Sequence, residues 1–127
     1  MGNTPTDLRY TEKHEWIRIE GADAWIGITD FAQDALTEVV WVELPNVGSH
    51  VEAMEPLASV ESVKSVSEIY APVSGLVVEV NESLEDSPEV INQDPYGDGW
   101  ICKISVADST DLDVLLDASA YASLIGV

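Results

Sequence analysis

The segment Glu61-Ser62-Val63-Lys64-Ser65-Val66-Ser67-Glu68-Ile69-Tyr70-Ala71-Pro72-Val73-Ser74-Gly75 decides the fold of this chain. With the residues just before it, it reads as two extended stretches, 56–62 and 66–70, meeting at a turn that presents Lys64. The second stretch stops at Ala71-Pro72, and Ser74-Gly75 makes the next turn. A rough dyad runs through the lysine: Pro56 and Pro72 lie eight residues to either side, Val51 and Val77 thirteen. The match pictures two similar arms, with an internal repeat as one explanation and coincidence as the other.

Outward from this segment the strand signal continues. Residues 16–20 and 24–28 flank Gly21-Ala22-Asp23 and read as a hairpin. Asp30, followed three residues later by Gln33, resembles a capping box for a short helix with Phe31, Ala35 and Leu36 on its apolar face. Residues 39–44 are β-branched and aromatic up to Pro45, residues 76–80 and 100–106 complete the strands, and 92–99 reads as a long turn region. Helical spacing returns after Asp108, with Leu112, Leu115 and Leu116 on one side, then Tyr121, Leu124 and Ile125. Many short strands with Gly and Pro punctuation predict a mainly β fold, a sandwich or barrel with a short internal helix and C-terminal helices.

Composition narrows the function. The 127 residues are one domain's worth, and with 46% of them apolar a core is within reach despite a net charge of −19. Five basic side chains against 24 acidic ones cannot neutralise a run of phosphates, which argues against nucleic acid and anionic lipid as partners. No apolar run approaches the ~20 residues of a membrane span. A single cysteine, Cys102, excludes an intrachain disulfide and suits a reducing compartment. Residues 1–7 show neither a secretion signal nor a transit pattern and read as a flexible tail of a cytoplasmic protein. Gly2 with Thr6 meets the loose myristoylation pattern, which a polar tail explains equally well.

Enzyme chemistry finds little purchase. His14 and His50 are the only histidines, and neither Cys-x-x-Cys nor His-Glu-x-x-His is present, so no metal site is expected. Asp94-Pro95-Tyr96-Gly97-Asp98-Gly99 has the outline of a calcium loop, but Tyr96 and Ser105 occupy slots that need carboxylates. Cys102 alternates with Trp100 and Ile104 and reads as a buried hydrophobe. Glu85-Asp86 reads as a solvated face among many carboxylates. Lysine is informative because it is scarce: Lys13 adjoins a predicted strand, Lys103 lies within one, and Lys64 alone sits between two arms. On position alone it is either a solubilising turn residue or a primary amine displayed for covalent attachment of a prosthetic arm.

The segment 61–75 resembles the lipoyl-lysine segment of the glycine cleavage system H protein family. Other segments follow in the family's order: Tyr10-Thr11 and His14-Glu15-Trp16, Gly27-Ile28-Thr29 with Ala32-Gln33, and Val42-Glu43-Leu44-Pro45. Then come Val80-Asn81, Pro95-Tyr96-Gly97 with Gly99-Trp100, and Leu115-Leu116-Asp117-Ala118 with Tyr121. The resemblance runs from about Leu8 to Leu124 as one lipoyl-carrier domain over residues 1–127. Ser65 departs from the alanine common after the modified lysine. The Asp-Lys-Ala of 2-oxoacid dehydrogenase lipoyl domains and the Met-Lys-Met of biotin carriers are both absent.

The resemblance implies a barrel-sandwich hybrid of the lipoyl/biotinyl type, with lipoic acid in amide linkage on Lys64. It implies a carrier, not an enzyme. The aminomethyl group of glycine would be loaded by a PLP-dependent glycine decarboxylase (P protein) and collected by a tetrahydrofolate-dependent aminomethyltransferase (T protein). Dihydrolipoamide dehydrogenase (L protein) would then reoxidise the arm. Glu61 and Gly75 match positions read by the attaching lipoate ligase or lipoyl/octanoyl transferase. Glu15 and Glu68 fall where the family places acidic residues near the docked arm; as a departure, Lys13 lies beside Glu15, where it could compete with a bound cation. The alternative function in the same fold is an H-like protein that relays lipoyl groups to other 2-oxoacid dehydrogenase complexes.

Overall fold

The structure is a computed structural model that describes residues 4–126. Gly2, and with it the myristoylation pattern, lies outside the described residues. Strands β1 (Arg9–Tyr10), β2 (Glu15–Glu20) and β3 (Asp23–Ile28) run antiparallel, and Gly21 at φ 63° makes the tight β2–β3 turn expected there. Helix α1 (Asp30–Leu36) follows. Its cap is Thr29, one residue earlier than the capping-box reading places it. Thr29 is extended and its hydroxyl accepts from the Ala32 amide, while Asp30 is already helical and accepts from the Gln33 side chain at 2.7 Å.

Strands β4 (Val39–Glu43), β6 (Pro56–Ser62) and β7 (Val66–Tyr70) form a three-stranded sheet in the order β4-β6-β7. Strands β5 (His50–Val51), β8 (Gly75–Val80) and β9 (Cys102–Val106) join the first three in a second sheet, ordered β1-β2-β3-β9-β8-β5. Between the sheets lie Ile17, Ile26, Val60, Val77 and Ile104, each fully buried. Alternation along β4 and β6 puts Val42 and Val60 into this core and leaves Trp41 and Glu61 outside.

The expected dyad is real as antiparallel pairing, but its axis is shifted. Glu61 pairs with Val66, and Val51 faces Gly75, not Val77, so the axis falls at Val63 and the Val63–Lys64 bond. A bulge between Pro56 and Ala58 brings Pro56 opposite Tyr70, and Pro72 has no strand partner. Two further readings are corrected. Two short helices, α2 (Ser83–Asp86) and α3 (Val90–Gln93), occupy and precede the expected turn region, each pinned by one fully buried side chain, Leu84 and Ile91. Strand β9 begins at Cys102, because Trp100 leaves the ladder to pack edge-on against Trp25.

The C-terminal periodicity also breaks. A 3-10 helix (Ser109–Val114) ends before Leu115, and Leu116 exchanges two backbone hydrogen bonds with Tyr10 as an isolated bridge. Helix α4 (Ala118–Ile125) then starts from the Asp117 cap. Its Tyr121 ring stacks on Tyr10 at 4.6 Å inside a second apolar cluster with Trp16, which fastens the N- and C-terminal segments to one end of the sandwich.

Candidate functional site

The β6–β7 hairpin ends in Val63-Lys64-Ser65, and Ser62 holds that turn in shape. The Ser62 amide donates to the Ser65 carbonyl at 2.7 Å, while its hydroxyl accepts from the Lys64 and Ser65 amides at 3.3 and 3.1 Å. The Val63 amide donates to the Glu38 carbonyl at 3.1 Å, which ties the tip to the segment between α1 and β4. Ser62 is buried beneath this turn, whereas Lys64 is exposed. Among the described residues Lys64 has no carboxylate within salt-bridge distance; the lysine so engaged is Lys103, 3.1 Å from Glu79. The arrangement is a fixed backbone carrying an amine open to a reagent. Removing the Ser62 hydroxyl leaves two turn amides without their acceptor. Ser62→Ala is expected to cost about 1 kcal/mol and to lower the amide order parameters of residues 63–65 in NMR relaxation.

Beside the tip lies a cleft of about 330 Å³. Ser65, Ser67 and Glu68 come from the β7 side, Phe31 from α1, and Lys13 and His14 from the turn before β2. The predicted apolar face of α1 is therefore a cleft wall more than a core face: Phe31 is half-buried, Ala35 exposed, and only Leu36 buried. His14 adopts φ 71°, and its Nδ1 lies 2.8 Å from the Tyr121 hydroxyl, itself 2.7 Å from the Thr29 hydroxyl. Its ring packs on Phe31 at 4.8 Å.

Burial holds His14 below its ordinary value of 6.5, so in that window the folded chain binds fewer protons than the unfolded one. The stability this lends is present above pH 6.5 and is lost as pH falls toward the depressed value. Urea unfolding of wild type and His14→Gln across that range is expected to show the stability difference between them shrinking as the solution is acidified.

The two carboxylates expected at the docked arm stand in different places. Glu68 is exposed on the cleft rim, and on its other side it borders a shallow depression of about 170 Å³ with Glu43 and Ser59. Glu15 is 1% exposed and stands behind the cleft. One of its oxygens accepts the Thr11 hydroxyl at 2.7 Å and the other the Tyr70 amide at 3.0 Å. Burial raises its carboxyl above the usual range, partly offset by those two bonds and by the charge of Lys13. Glu15 thus ties the pre-β2 turn to the end of β7 and shapes the cleft indirectly.

The two positions expected to serve recognition also divide. Glu61 is exposed, with Val66 and Trp41 as its cross-strand neighbours. Gly75 is buried in β8, where a Cβ would lie 2.0 Å from the Ser105 carbonyl oxygen, so it acts by letting β8 and β9 close up. Cys102 is buried and its thiol is pushed up to about 12 by desolvation, which leaves it unreactive. Sequence reasoning passed over Ser62 and the His14–Tyr121–Thr29 chain. A serine two residues before a turn lysine was a usable signal for the first; nothing in the sequence spacing joins Thr29 to Tyr121.

A sequence family described as Glycine cleavage H-protein matches residues 8–126, nearly the whole chain. The chain belongs to this family. A glycine cleavage system H protein of Symbiobacterium thermophilum is 58% identical over 121 residues, covering 95% of this chain and 94% of that one. One of Geobacillus thermodenitrificans is 54% identical over 123 residues, covering 97% of each. Among solved structures, a glycine cleavage system H protein of Mycobacterium marinum superposes with a TM-score of 0.86 at 43% identity, over 97% of this chain and 99% of that one. The H-protein barrel-sandwich expected from the sequence is the fold observed, and family membership gives the chain a lipoyl-carrier role in the glycine cleavage system. Among the described residues no helix is long and apolar enough to cross a membrane.

Proposed function

We propose that Lys64 is the lipoyl attachment site and that the chain acts as a mobile substrate of the other glycine cleavage enzymes, without catalysing a step itself. The observation that carries this is the exposed Lys64 amine, unpaired by any carboxylate among the described residues, on a turn fixed by Ser62 beside a half-apolar cleft. An amine held this way fits amide attachment of a long acyl group. The cleft fits the apolar end of such an arm.

The lipoyl group would supply the disulfide that takes up the aminomethyl fragment and is left as a dithiol. The remaining work belongs to the chain's own residues. Glu61, exposed and three residues before Lys64, is the side chain an attaching ligase or transferase can read; Gly75 contributes through the strand packing it permits. Glu68 offers a carboxylate to a cationic cargo at the cleft rim, and Phe31 and Ala35 exclude water from the wall opposite. Glu15 keeps the cleft's shape by holding Thr11 and Tyr70.

The net charge of −19 steers the carrier toward basic surfaces on the decarboxylase, the aminomethyltransferase and the dihydrolipoamide dehydrogenase. A rigid tip with modest contacts suits a protein that must part from each enzyme after one step. A reconstituted mixture with the decarboxylase and glycine tests the reading. Release of carbon dioxide should require the lipoylated chain, saturate with it, and weaken as salt is raised. Equal release with the unmodified chain would contradict it.

A further inference from the structure

Helix α1 is capped at its C-terminus by Thr37, which stands at φ 67° and ψ −144°. A β-branched residue seldom adopts that backbone, which a glycine would take without steric cost. Two hydrogen bonds fix it there. The Thr37 amide donates to the Gln33 carbonyl at 3.0 Å, and the Thr37 carbonyl accepts from Asn92 Nδ2 at 2.7 Å. The same Nδ2 donates to Gln33 Oε1 at 3.0 Å, and Asn92 Oδ1 accepts from the Val39 amide at 2.9 Å. One side-chain amide thus grips the chain on both sides of Glu38. Asn92 is carried by α3, whose Ile91 is fully buried, so the grip is anchored in the core.

Glu38 links this grip to the hairpin tip. Its carbonyl accepts the Val63 amide at 3.1 Å, one residue before Lys64. Val39 beside it pairs with Ser62, whose hydroxyl shapes the turn. We infer that Asn92 is a positioning residue for Lys64: it holds Thr37 in a strained backbone so that the Glu38 carbonyl stays aimed at Val63. Such strain persists only where the surroundings over-determine it, and here they include an amide 55 residues along the chain. With that amide lost, Thr37 relaxes, the Glu38 carbonyl turns away, and the tip loses its tie to the segment between α1 and β4. Lys64 then spends only part of its time in the geometry an attaching enzyme accepts. The inference rests on Lys64 as the attachment site and adds to it a residue on a separate helix.

The test uses the full chain carrying Asn92→Asp. This change keeps the shape and the acceptor toward Val39 but replaces the donor to Thr37 and Gln33 by an oxygen. A smaller competent fraction raises the apparent KM in proportion and leaves saturated turnover alone. With a lipoate ligase, lipoate and ATP, the KM for the chain should therefore rise about fivefold at unchanged kcat. In NMR relaxation the amide order parameters of residues 63–65 should fall, while those of the β2–β3 turn stay put. Adding Thr37→Gly, which takes up the same φ freely, should restore most of both losses. Native-state hydrogen exchange needs no variant: in the unsubstituted chain the Val39 and Val63 amides should open together. Wild-type KM and order parameters in Asn92→Asp, or a loss shared equally by the β2–β3 turn, would overturn the inference, as would independent opening of the two amides. Absence of lipoylation on Lys64 in the unsubstituted chain would instead overturn the attachment reading, and the order parameters would still decide whether Asn92 holds the tip.

Discussion

Lys64→Arg is expected to leave a folded, equally acidic chain that accepts no lipoyl group and supports no glycine-dependent turnover above background. The arginine keeps the positive charge at the tip, but its guanidinium stays protonated and offers no free amine to acylate. Lys64 is exposed and its hydrogen bonds run through its backbone, so the substitution should change stability by no more than ~0.5 kcal/mol. Neither other lysine stands on the β6–β7 tip. Lys103 is the second residue of β9, paired with Glu79, and Lys13 stands on the pre-β2 turn over Tyr70. Mass spectrometry after incubation with a lipoate ligase, together with a decarboxylase assay, reads both halves of the expectation. Residual lipoylation of the variant would show that attachment lies elsewhere.

Gly75→Ala should be the most damaging single methyl in the sandwich near the site. The added Cβ would lie 2.0 Å from the Ser105 carbonyl oxygen and 2.7 Å from the Ile104 side chain. The first of these is backbone within the β8–β9 ladder, where Gly75 pairs with Val106 and on its other side with Val51. Relief therefore requires two strands to separate. The expected cost is about 3 kcal/mol, a fall in Tm of roughly 10 °C for a chain of this size. The same variant separates two meanings of Gly75. If it acts through packing, the folded fraction at low temperature should be lipoylated at the wild-type rate. If the ligase reads it directly, the rate should fall even where the chain is fully folded.

Much of this architecture was legible because the β signal and the punctuation agree. The β6–β7 hairpin, the β2–β3 hairpin and the Lys64 turn follow from alternation and from Gly21, Pro56 and Pro72. What escaped depends on tertiary contacts. Leu84 and Ile91 make helices of four residues only because each drops into the core. Leu116 leaves the helical period because Tyr10 offers it a backbone partner. The dyad axis misses Lys64 because the turn between Glu61 and Val66 centres on the Val63–Lys64 bond, and a bulge near Pro56 shifts it further to Val63, which counting from the lysine cannot reveal.

The site shows the same division. Lys64 and Glu61 sit on the tip and its flank, so local sequence places them. The cleft is assembled from the pre-β2 turn, α1 and β7, and sequence order alone could not say that Glu68 reaches it while Glu15 is sealed behind by Thr11 and Tyr70. Nor could it show that Lys13 would rest on an aromatic ring in a chain so rich in carboxylates.

The central claim is that Lys64 bears the arm. The most direct measurement is an intact mass with peptide mapping, before and after incubation of the folded chain with a lipoate ligase, lipoate and ATP. A single lipoyl increment confined to Lys64, and absent from Lys13 and Lys103, is the predicted result. No increment on properly folded protein, or an increment mapped to another lysine, would contradict it.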